Sequence, residues 1–219
     1  MNLLKSAGGL IVPMILFIGL NVIEGKLPAN IYPLAYIAKI ALVLFALGVT
    51  AKSWQPELST SRKALITGAL FGVVGIGLWI GIEQIPYPHI GSRGSFNPFT
   101  SIPDASLRIL WTAVRFIGLA AVVPLIEELF WRGFLVRYID NMDDYRKVIA
   151  GNHSWIATGV VTAAFTSIHP EWLAAVAYAL LTDQLLRRTK SVGACVVMHA
   201  VTNLLLGIYV VATKSWHLW

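Results

Sequence analysis

The residues of this chain best suited to chemistry are acids and imidazoles that lie inside apolar stretches. Glu127 and Glu128 stand side by side in the apolar run 122–135, and a single carboxylate in a membrane-type segment costs about 3 kcal/mol on insertion scales. Arg132 follows Glu128 by one helical turn and can hold it ionised. The side chain of Glu127 points about 100° away from that of Glu128 around the helix axis, and no basic residue follows it one helical turn later. The spacing predicts a structural Glu128 and a reactive Glu127.

Three further polar groups occur in later apolar segments. His169 precedes Pro170, which disfavours helical geometry in the residue before it and predicts a break there. His199 and Asn203 are four residues apart and share one helical face. A carboxylate, two imidazoles and an amide together support hydrolysis.

Two hydrolytic mechanisms are open at this point. In the first, Glu127 is the general base, His169 holds the water, and His199 and Asn203 donate to the oxyanion, each donor contributing about 3–4 kcal/mol. In the second, His169 and His199 with Glu127 bind Zn²⁺, which activates the water. Asn is a poor zinc ligand but a good oxyanion donor, which favours the first mechanism and no required cofactor.

The composition limits the class of protein. Apolar residues make up 57% of the 219 and charged residues 13%, with a mean hydropathy of +0.70, values typical of a polytopic membrane protein. The net charge of +6 does not indicate nucleic-acid binding, because the bases lie in loops and form no stripe. Cys195 is the only cysteine, so there is no internal disulfide. Motifs for serine or aspartyl intramembrane proteolysis and His-Glu-x-x-His are absent.

Hydropathy predicts an all-α membrane protein in one domain, 1–219, with about seven helical membrane segments. Five segments are long enough to span, and two are short and fit a re-entrant hairpin with its tip at Ile168–Glu171. Asp104 is the predicted N-cap of the fourth span. The predicted spans are 7–23, 31–50, 64–82, 106–131 and 192–212, and the short pieces are 155–168 and 172–186.

Charge bias predicts the orientation, with the N-terminus in the cytoplasm. Eleven bases fall on the N-terminal face and four on the other. The eleven are Lys5, Lys52, Arg62, Lys63, Arg132, Arg137, Arg146, Lys147, Arg187, Arg188 and Lys190, and the four are Lys26, Arg93, Arg108 and Lys214. In this orientation Glu127 lies near the cytoplasmic end of its span, and His199 lies two turns inside the cytoplasmic start of the last span. A hairpin tip at His169 would reach a similar level, so the three side chains are predicted to meet in a pocket below the cytoplasmic surface.

Other polar or small residues have simpler expected roles. Arg115 and Lys39 are predicted to be paired or snorkelling cations, with substrate contact as the alternative. His153 is expected at the surface, and Asp183 is expected to face water. The third span carries small residues that suit close helix packing; these are Gly68, Gly72, Gly77 and Gly81.

Three motifs occur in order on separate predicted helices: Glu127-Glu128-x-x-x-Arg132, Phe165-x-x-x-His169 and His199-x-x-x-Asn203. Together they resemble the CPBP family of intramembrane proteases, which includes CAAX prenyl endopeptidases and bacteriocin-immunity relatives. The resemblance covers residues 106–212, the predicted catalytic core. The sequence around His169 and the last span further resembles the branch associated with bacterial exosortase sorting systems.

The resemblance implies an intramembrane endopeptidase of the bacterial inner membrane that cleaves a membrane-tethered or lipidated protein near the cytoplasmic side. It implies Glu127 as catalytic base, His169 as water-holding partner and His199 and Asn203 as transition-state stabilisers. Glu128 and Arg132 become supporting residues. The family is often called metalloprotease, so a divalent metal stays open. The rival interpretations are a transporter or proton relay and a catalytically idle scaffold of a sorting system.

Overall fold

The chain folds into eight α-helices, with no strand among the residues described. The computed structural model describes the backbone of residues 3–91 and 95–219, and the side chains of all of these except residues 3–6. The helices are α1 Leu3–Glu24, α2 Tyr32–Trp54, α3 Arg62–Glu83, α4 Pro98–Ser101, α5 Ala105–Asp140, α6 Trp155–Ser167, α7 Trp172–Thr189 and α8 Val192–Thr213.

Five of these helices, α1, α2, α3, α5 and α8, are long and apolar enough to cross a membrane. In a bilayer every backbone polar group must be satisfied internally, and a helix does so within one segment. The prediction of an all-α polytopic membrane protein is confirmed. Asp104 caps α5 as predicted, because its Oδ1 accepts from the Leu107 N–H at 2.7 Å.

The predicted end of the fourth span at residue 131 is wrong, because α5 continues to Asp140. Arg132 and Arg137 were placed in a cytoplasmic loop, yet both are buried inside the helix. Arg137 donates to Glu57 at 2.7 Å and to the Gly133 carbonyl at 2.9 Å. Such contacts stabilise a cation inside the helix at a position where hydropathy alone predicts that the span has ended. Arg132 pairs within α5 and leaves the charge comparison, whereas Arg137 pairs with Glu57 in the loop between α2 and α3 and stays in it, so the base-rich face keeps ten bases. Two positions in the charge comparison, Arg93 and the Lys5 side chain, lie outside the described residues.

Helix α8 packs closely on α3, and glycines permit the approach. A Cβ at Gly68 would collide with the Ala194 carbonyl oxygen, and one at Gly72 would meet the Met198 carbonyl at 2.6 Å. Gly77 and Gly81 face open space, so only half of the predicted glycine set serves this packing. Gly75, which the sequence pattern did not select, lies against Tyr178 and Thr202 instead.

Helices α6 and α7 form an antiparallel pair that ends at the segment Ile168–Glu171. With 13 residues, α6 rises about 20 Å, less than a hydrocarbon core of roughly 30 Å. The loop after α3 closes over this tip: the Ile90 N–H donates to the Pro170 carbonyl at 3.1 Å, and the Trp172 indole donates to the Pro88 carbonyl at 2.8 Å. The loop therefore covers the tip at Pro170, while Ile168 is exposed and the depth of the tip in a bilayer stays a prediction.

At their other end, α6 and α7 are joined by a polar cluster that contradicts two surface expectations. His153 and Asp183 are 3% and 7% exposed, with His153 Nε2 and Asp183 Oδ1 2.6 Å apart. Arg187 Nε donates to the same carboxylate at 2.8 Å. Hydropathy places both residues near the membrane boundary, but it does not show that packing of the pair buries them against each other.

Candidate active site

The four predicted catalytic side chains lie on one cavity. Glu127, His169, His199 and Asn203 come from α5, the α6–α7 tip and α8, and all four line a void of about 230 Å³. That volume accommodates several water molecules, since each occupies roughly 30 Å³ in the liquid. An acid, two imidazoles and an amide therefore share one void that is large enough for several water molecules.

Glu127 is buried and unpaired. The residue is 6% exposed, and its buried Oε2 has no hydrogen-bond partner among the described residues. A buried polar atom that no protein group satisfies normally bonds a water or a ligand. A water molecule or a substrate group in the cavity can therefore reach the Glu127 carboxylate.

Glu128, by contrast, is the centre of a buried charge network. Its side chain is fully buried, and its Oε1 lies 2.8 Å from His199 Nδ1. Arg132 Nε lies 3.3 Å from Oε2 of the same carboxylate. The helical spacing predicted the contact with Arg132, but the bond to His199 depends on the packing of α8 against α5. A carboxylate on Nδ1 fixes the imidazole ring and directs its Nε2 to the cavity.

His169 is oriented by the backbone of its own helix end. Its Nδ1 lies 2.7 Å from the Phe165 carbonyl oxygen, which can only accept, so Nδ1 carries the proton. The ring stacks on Phe165, with centroids 4.4 Å apart and planes at 29°. The Nε2 lone pair of the neutral ring then remains free to accept a hydrogen bond from water. The Phe165-x-x-x-His169 spacing is thus the spacing of a positioning contact.

Asn203 is held by an irregularity in α5. The segment Gly118–Val122 is a π-helical turn in which the Val123 N–H bonds the Gly118 carbonyl. Pro124, which has no N–H, stands where the next such donor to Leu119 would be. Asn203 Nδ2 bonds that Leu119 carbonyl at 3.0 Å. An amide nitrogen has two N–H groups, so one remains for the cavity.

Tyr178 also lines the cavity, and sequence reasoning missed it. Its ring packs edge-on against His199 at 5.5 Å between centroids. Its hydroxyl is buried without a well-formed hydrogen bond to a described residue. The sequence offers no signal for it, because a tyrosine in an apolar helix is ordinarily a packing residue.

The predicted alternative metal ligands, Glu127, His169 and His199, share the cavity wall but do not form a metal-binding group. Among residues 3–91 and 95–219, no three His, Cys, Asp or Glu side chains are close enough to hold a metal ion together. The Nδ1 atoms of both histidines are engaged, which leaves two Nε2 atoms and one carboxylate. Two imidazole nitrogens and a carboxylate are donor types of catalytic zinc sites, but here these atoms are too far apart to hold one ion together.

Two further voids adjoin the cavity. A void of about 330 Å³, the lateral slot, shares Glu127 and His169 with it and opens between Ile18, Val22 and Ile168, whose side chains are exposed. A void of about 460 Å³, the outer vestibule, shares Trp79, Glu171, Leu206 and Leu218 with it. The other residues of the vestibule include Glu24, Tyr32, Phe96 and Trp219.

The outer vestibule lies among the loop after α1, the loop after α3 and the C-terminal segment, on the face opposite the base-rich loops. His199 and Asn203 are seven and eleven residues after Val192, about 10 and 16 Å from the base-rich end of α8. The site therefore lies between the base-rich face and the midplane of α8, while the larger void leads to the other face. The sequence predicted a pocket below the cytoplasmic surface, but it did not predict an opening toward the opposite face.

Comparison with known proteins gives a family match for part of the chain. Residues 109–205 match the family described as type II CAAX prenyl endopeptidase Rce1-like, a segment that contains Glu127, His169, His199 and Asn203. These residues, somewhat less than half of the chain, carry a domain of this family, which supports the CPBP/CAAX resemblance. No curated protein and no solved structure matches the chain.

Proposed function

We propose that this protein is an intramembrane endopeptidase in which Glu127 activates the water that cleaves a peptide bond. The observation that carries the proposal is the unpartnered, buried Glu127 carboxylate on the same cavity as His169, His199 and Asn203. The match to a CAAX endopeptidase family supports the reaction type.

In the proposed reaction, a water molecule is held between the Glu127 carboxylate and the His169 Nε2 lone pair. Glu127 takes one proton, and the resulting hydroxide attacks the substrate carbonyl carbon. Two groups donate to the oxyanion, the Asn203 amide and the Nε2–H of His199. The Glu128 carboxylate stabilises the imidazolium form of His199 through its Nδ1. Glu127 then returns its proton to the leaving amine as the C–N bond breaks. No step requires a metal.

The proposed substrate is a membrane-tethered or lipidated protein. The exposed apolar walls of the lateral slot at Ile18, Val22 and Ile168 suit a hydrophobic chain that reaches Glu127 from the bilayer. The depth of His199 and Asn203 supports cleavage in the half of the bilayer near the base-rich face. With ten bases on that face, the proposed setting is a bacterial plasma membrane with the N-terminus in the cytoplasm.

The test is a comparison of protein C-terminal fragments in membranes from cells that carry wild type, Glu127→Gln or the control Asp143→Asn. Asp143 is an exposed acid outside the cavity. Wild type and control are expected to yield the same fragments, and Glu127→Gln is expected to reduce them by about 10²–10⁴-fold, the usual contribution of a general base.

Fragments that persist unchanged in Glu127→Gln would contradict the proposed base, and identical fragments in cells without the protein would favour the scaffold interpretation. Loss of proton flux in vesicles without any proteolysis would favour the relay. Zinc bound stoichiometrically by purified wild type and lost in His169→Ala would replace the metal-free mechanism.

A further inference from the structure

The cavity contains a cation that the hydrolytic mechanism does not use. Arg115 of α5 lines the same void as Glu127, and its Nε is buried without a hydrogen-bond partner. Among the described residues no carboxylate forms an ion pair with it within 4.0 Å, whereas Arg132, Arg137 and Arg187 each have one. A charged side chain inside a membrane segment without a counter-ion is expensive and usually functional.

Aromatic rings hold the Arg115 guanidinium in place. Its central carbon lies 5.0 Å from the Tyr36 ring centroid and 5.5 Å from that of Trp219. Gly118, one turn along α5, permits this approach, because a Cβ there would collide with the Tyr36 hydroxyl. Stacking uses the faces of a guanidinium and leaves its edge N–H groups available for an anion.

The neighbouring cation does not compete for this role. Lys39 is paired with Glu24 and donates to the Asn21 amide oxygen at 2.7 Å. It is thus a paired cation, as predicted. Glu24 is engaged by Lys39 and forms no ion pair with Arg115 within 4.0 Å, so its charge acts on Arg115 only from a distance. Arg115 has aromatic faces in place of a carboxylate, and substrate contact, the alternative expected for it, stays a prediction.

We propose that Arg115 is the binding site for an anionic oxygen group of the substrate, namely the carboxylate at the C-terminal end of the cleaved peptide. This inference rests on the proposed function. A guanidinium fork matches a carboxylate in a bidentate manner. Arg115 and Glu127 are twelve residues apart on one helix, an axial rise of about 18 Å, which is the length of about five extended residues. The cavity thus takes a substrate whose scissile bond lies within about five residues of its free end.

A phosphate group of a lipid would present similar oxygens, so the experiment has to separate the two sources. Purified full-length protein in a neutral maltoside detergent is given a pool of N-terminally palmitoylated peptides of varied sequence, each made as a C-terminal acid and as an amide. Cleavage of each form is measured as kcat/KM by mass spectrometry. Arg115→Gln is compared with the matched control Arg108→Gln, a base on the same helix outside the cavity that bonds the Ile102 carbonyl.

Wild type and Arg108→Gln are expected to cleave acids about 10- to 100-fold better than amides, the usual gain from a charged hydrogen bond. Arg115→Gln is expected to cleave acids no better than amides, and an unfolding temperature equal to that of wild type in the same detergent shows that the variant is folded. Arg115→Lys should retain part of the preference. Equal cleavage of acids and amides by wild type would overturn the proposal while leaving proteolysis intact.

Binding gives a result that does not depend on cleavage. Acetylated pentapeptide acids are expected to raise the unfolding temperature of Glu127→Gln protein and not of the Glu127→Gln/Arg115→Gln double variant, and the amides are expected to raise neither. Stabilisation by phosphatidylglycerol that requires Arg115, with no difference between acids and amides, would assign the site to a lipid headgroup and overturn the carboxylate proposal. A normal acid preference in binding with no cleavage of any peptide would instead count against the proposed function.

Discussion

At the scale of single residues, two adjacent glutamates have opposite environments because a helix turns by about 100° between neighbours. Glu128 is surrounded by Arg132 and His199, whereas the buried oxygen of Glu127 has no protein partner. The same substitution at the two positions should therefore have different physical consequences. A measurement of the stability of each variant distinguishes the two roles.

Glu128→Gln is expected to destabilise the protein and Glu127→Gln is not. Replacing Glu128 leaves Arg132 without its buried counter-ion, a loss of about 3–5 kcal/mol for a broken buried pair. Replacing Glu127 removes an unpaired buried charge. Thermal unfolding in detergent should show a drop of about 10 °C for Glu128→Gln and no drop for Glu127→Gln. Equal unfolding temperatures for the two variants would contradict the division of roles.

Residue spacing alone predicted the contact of Glu128 with Arg132 and the set of four side chains that line the cavity. It did not predict the bond from Glu128 to His199, because these residues are 71 positions apart and only helix packing sets their distance. Tyr178 and Arg115 show the same limit. Their residue types are ordinary in membrane helices, and their places on the cavity wall appear only in the folded chain.

At the scale of elements, α5 is the helix that organises the site. Its π-helical turn at Gly118–Val122 widens the helix one turn before the glutamates, and Pro124 leaves the Leu119 carbonyl without its backbone donor. Asn203 satisfies that carbonyl from α8. The bond that repairs the helix also positions the amide, so structural and catalytic effects of Asn203 must be separated.

A double-mutant cycle between Asn203 and Pro124 makes this separation. Asn203→Leu is expected to cost about 1–3 kcal/mol of stability, because the Leu119 carbonyl loses its partner, and to lower kcat by about 10²–10³-fold. Adding Pro124→Ala restores a backbone N–H that can bond Leu119. The double variant should regain stability in thermal unfolding but not activity in a cleavage assay. Recovery of activity would show that Asn203 acts only by repairing the helix.

At the scale of the whole molecule, the cavity adjoins two other voids, the lateral slot at Glu127 and His169 and the outer vestibule at Glu171 and Leu206. The lateral slot leads to the lipid-facing side between α1 and the α6–α7 tip, and the outer vestibule leads to the face opposite the base-rich loops. If the N-terminus lies in the cytoplasm, the vestibule opens away from the cytoplasm even though the catalytic groups lie in the cytoplasmic half of α8.

Cysteine labelling of intact cells tests this orientation. Ser95 is exposed at the vestibule, and Lys147 is exposed between α5 and α6 on the base-rich face. Cys195 is fully buried, so background labelling of the native thiol is expected to be low. A membrane-impermeant maleimide added outside should label Ser95→Cys and leave Lys147→Cys unlabelled until the cells are opened. The reverse pattern would invert the proposed topology.

The sequence by itself determined the all-α membrane class, indicated the protease family and selected the four side chains proposed for catalysis, because hydropathy and short helical spacings are local properties of the chain. The tertiary structure alone decided what each of those side chains bonds, that α5 continues past Arg132, and that Arg115 faces the cavity without a counter-ion. It also decided the directions in which the cavity opens. These features depend on how distant helices pack, and packing distances are not encoded in the spacing of residues along one segment.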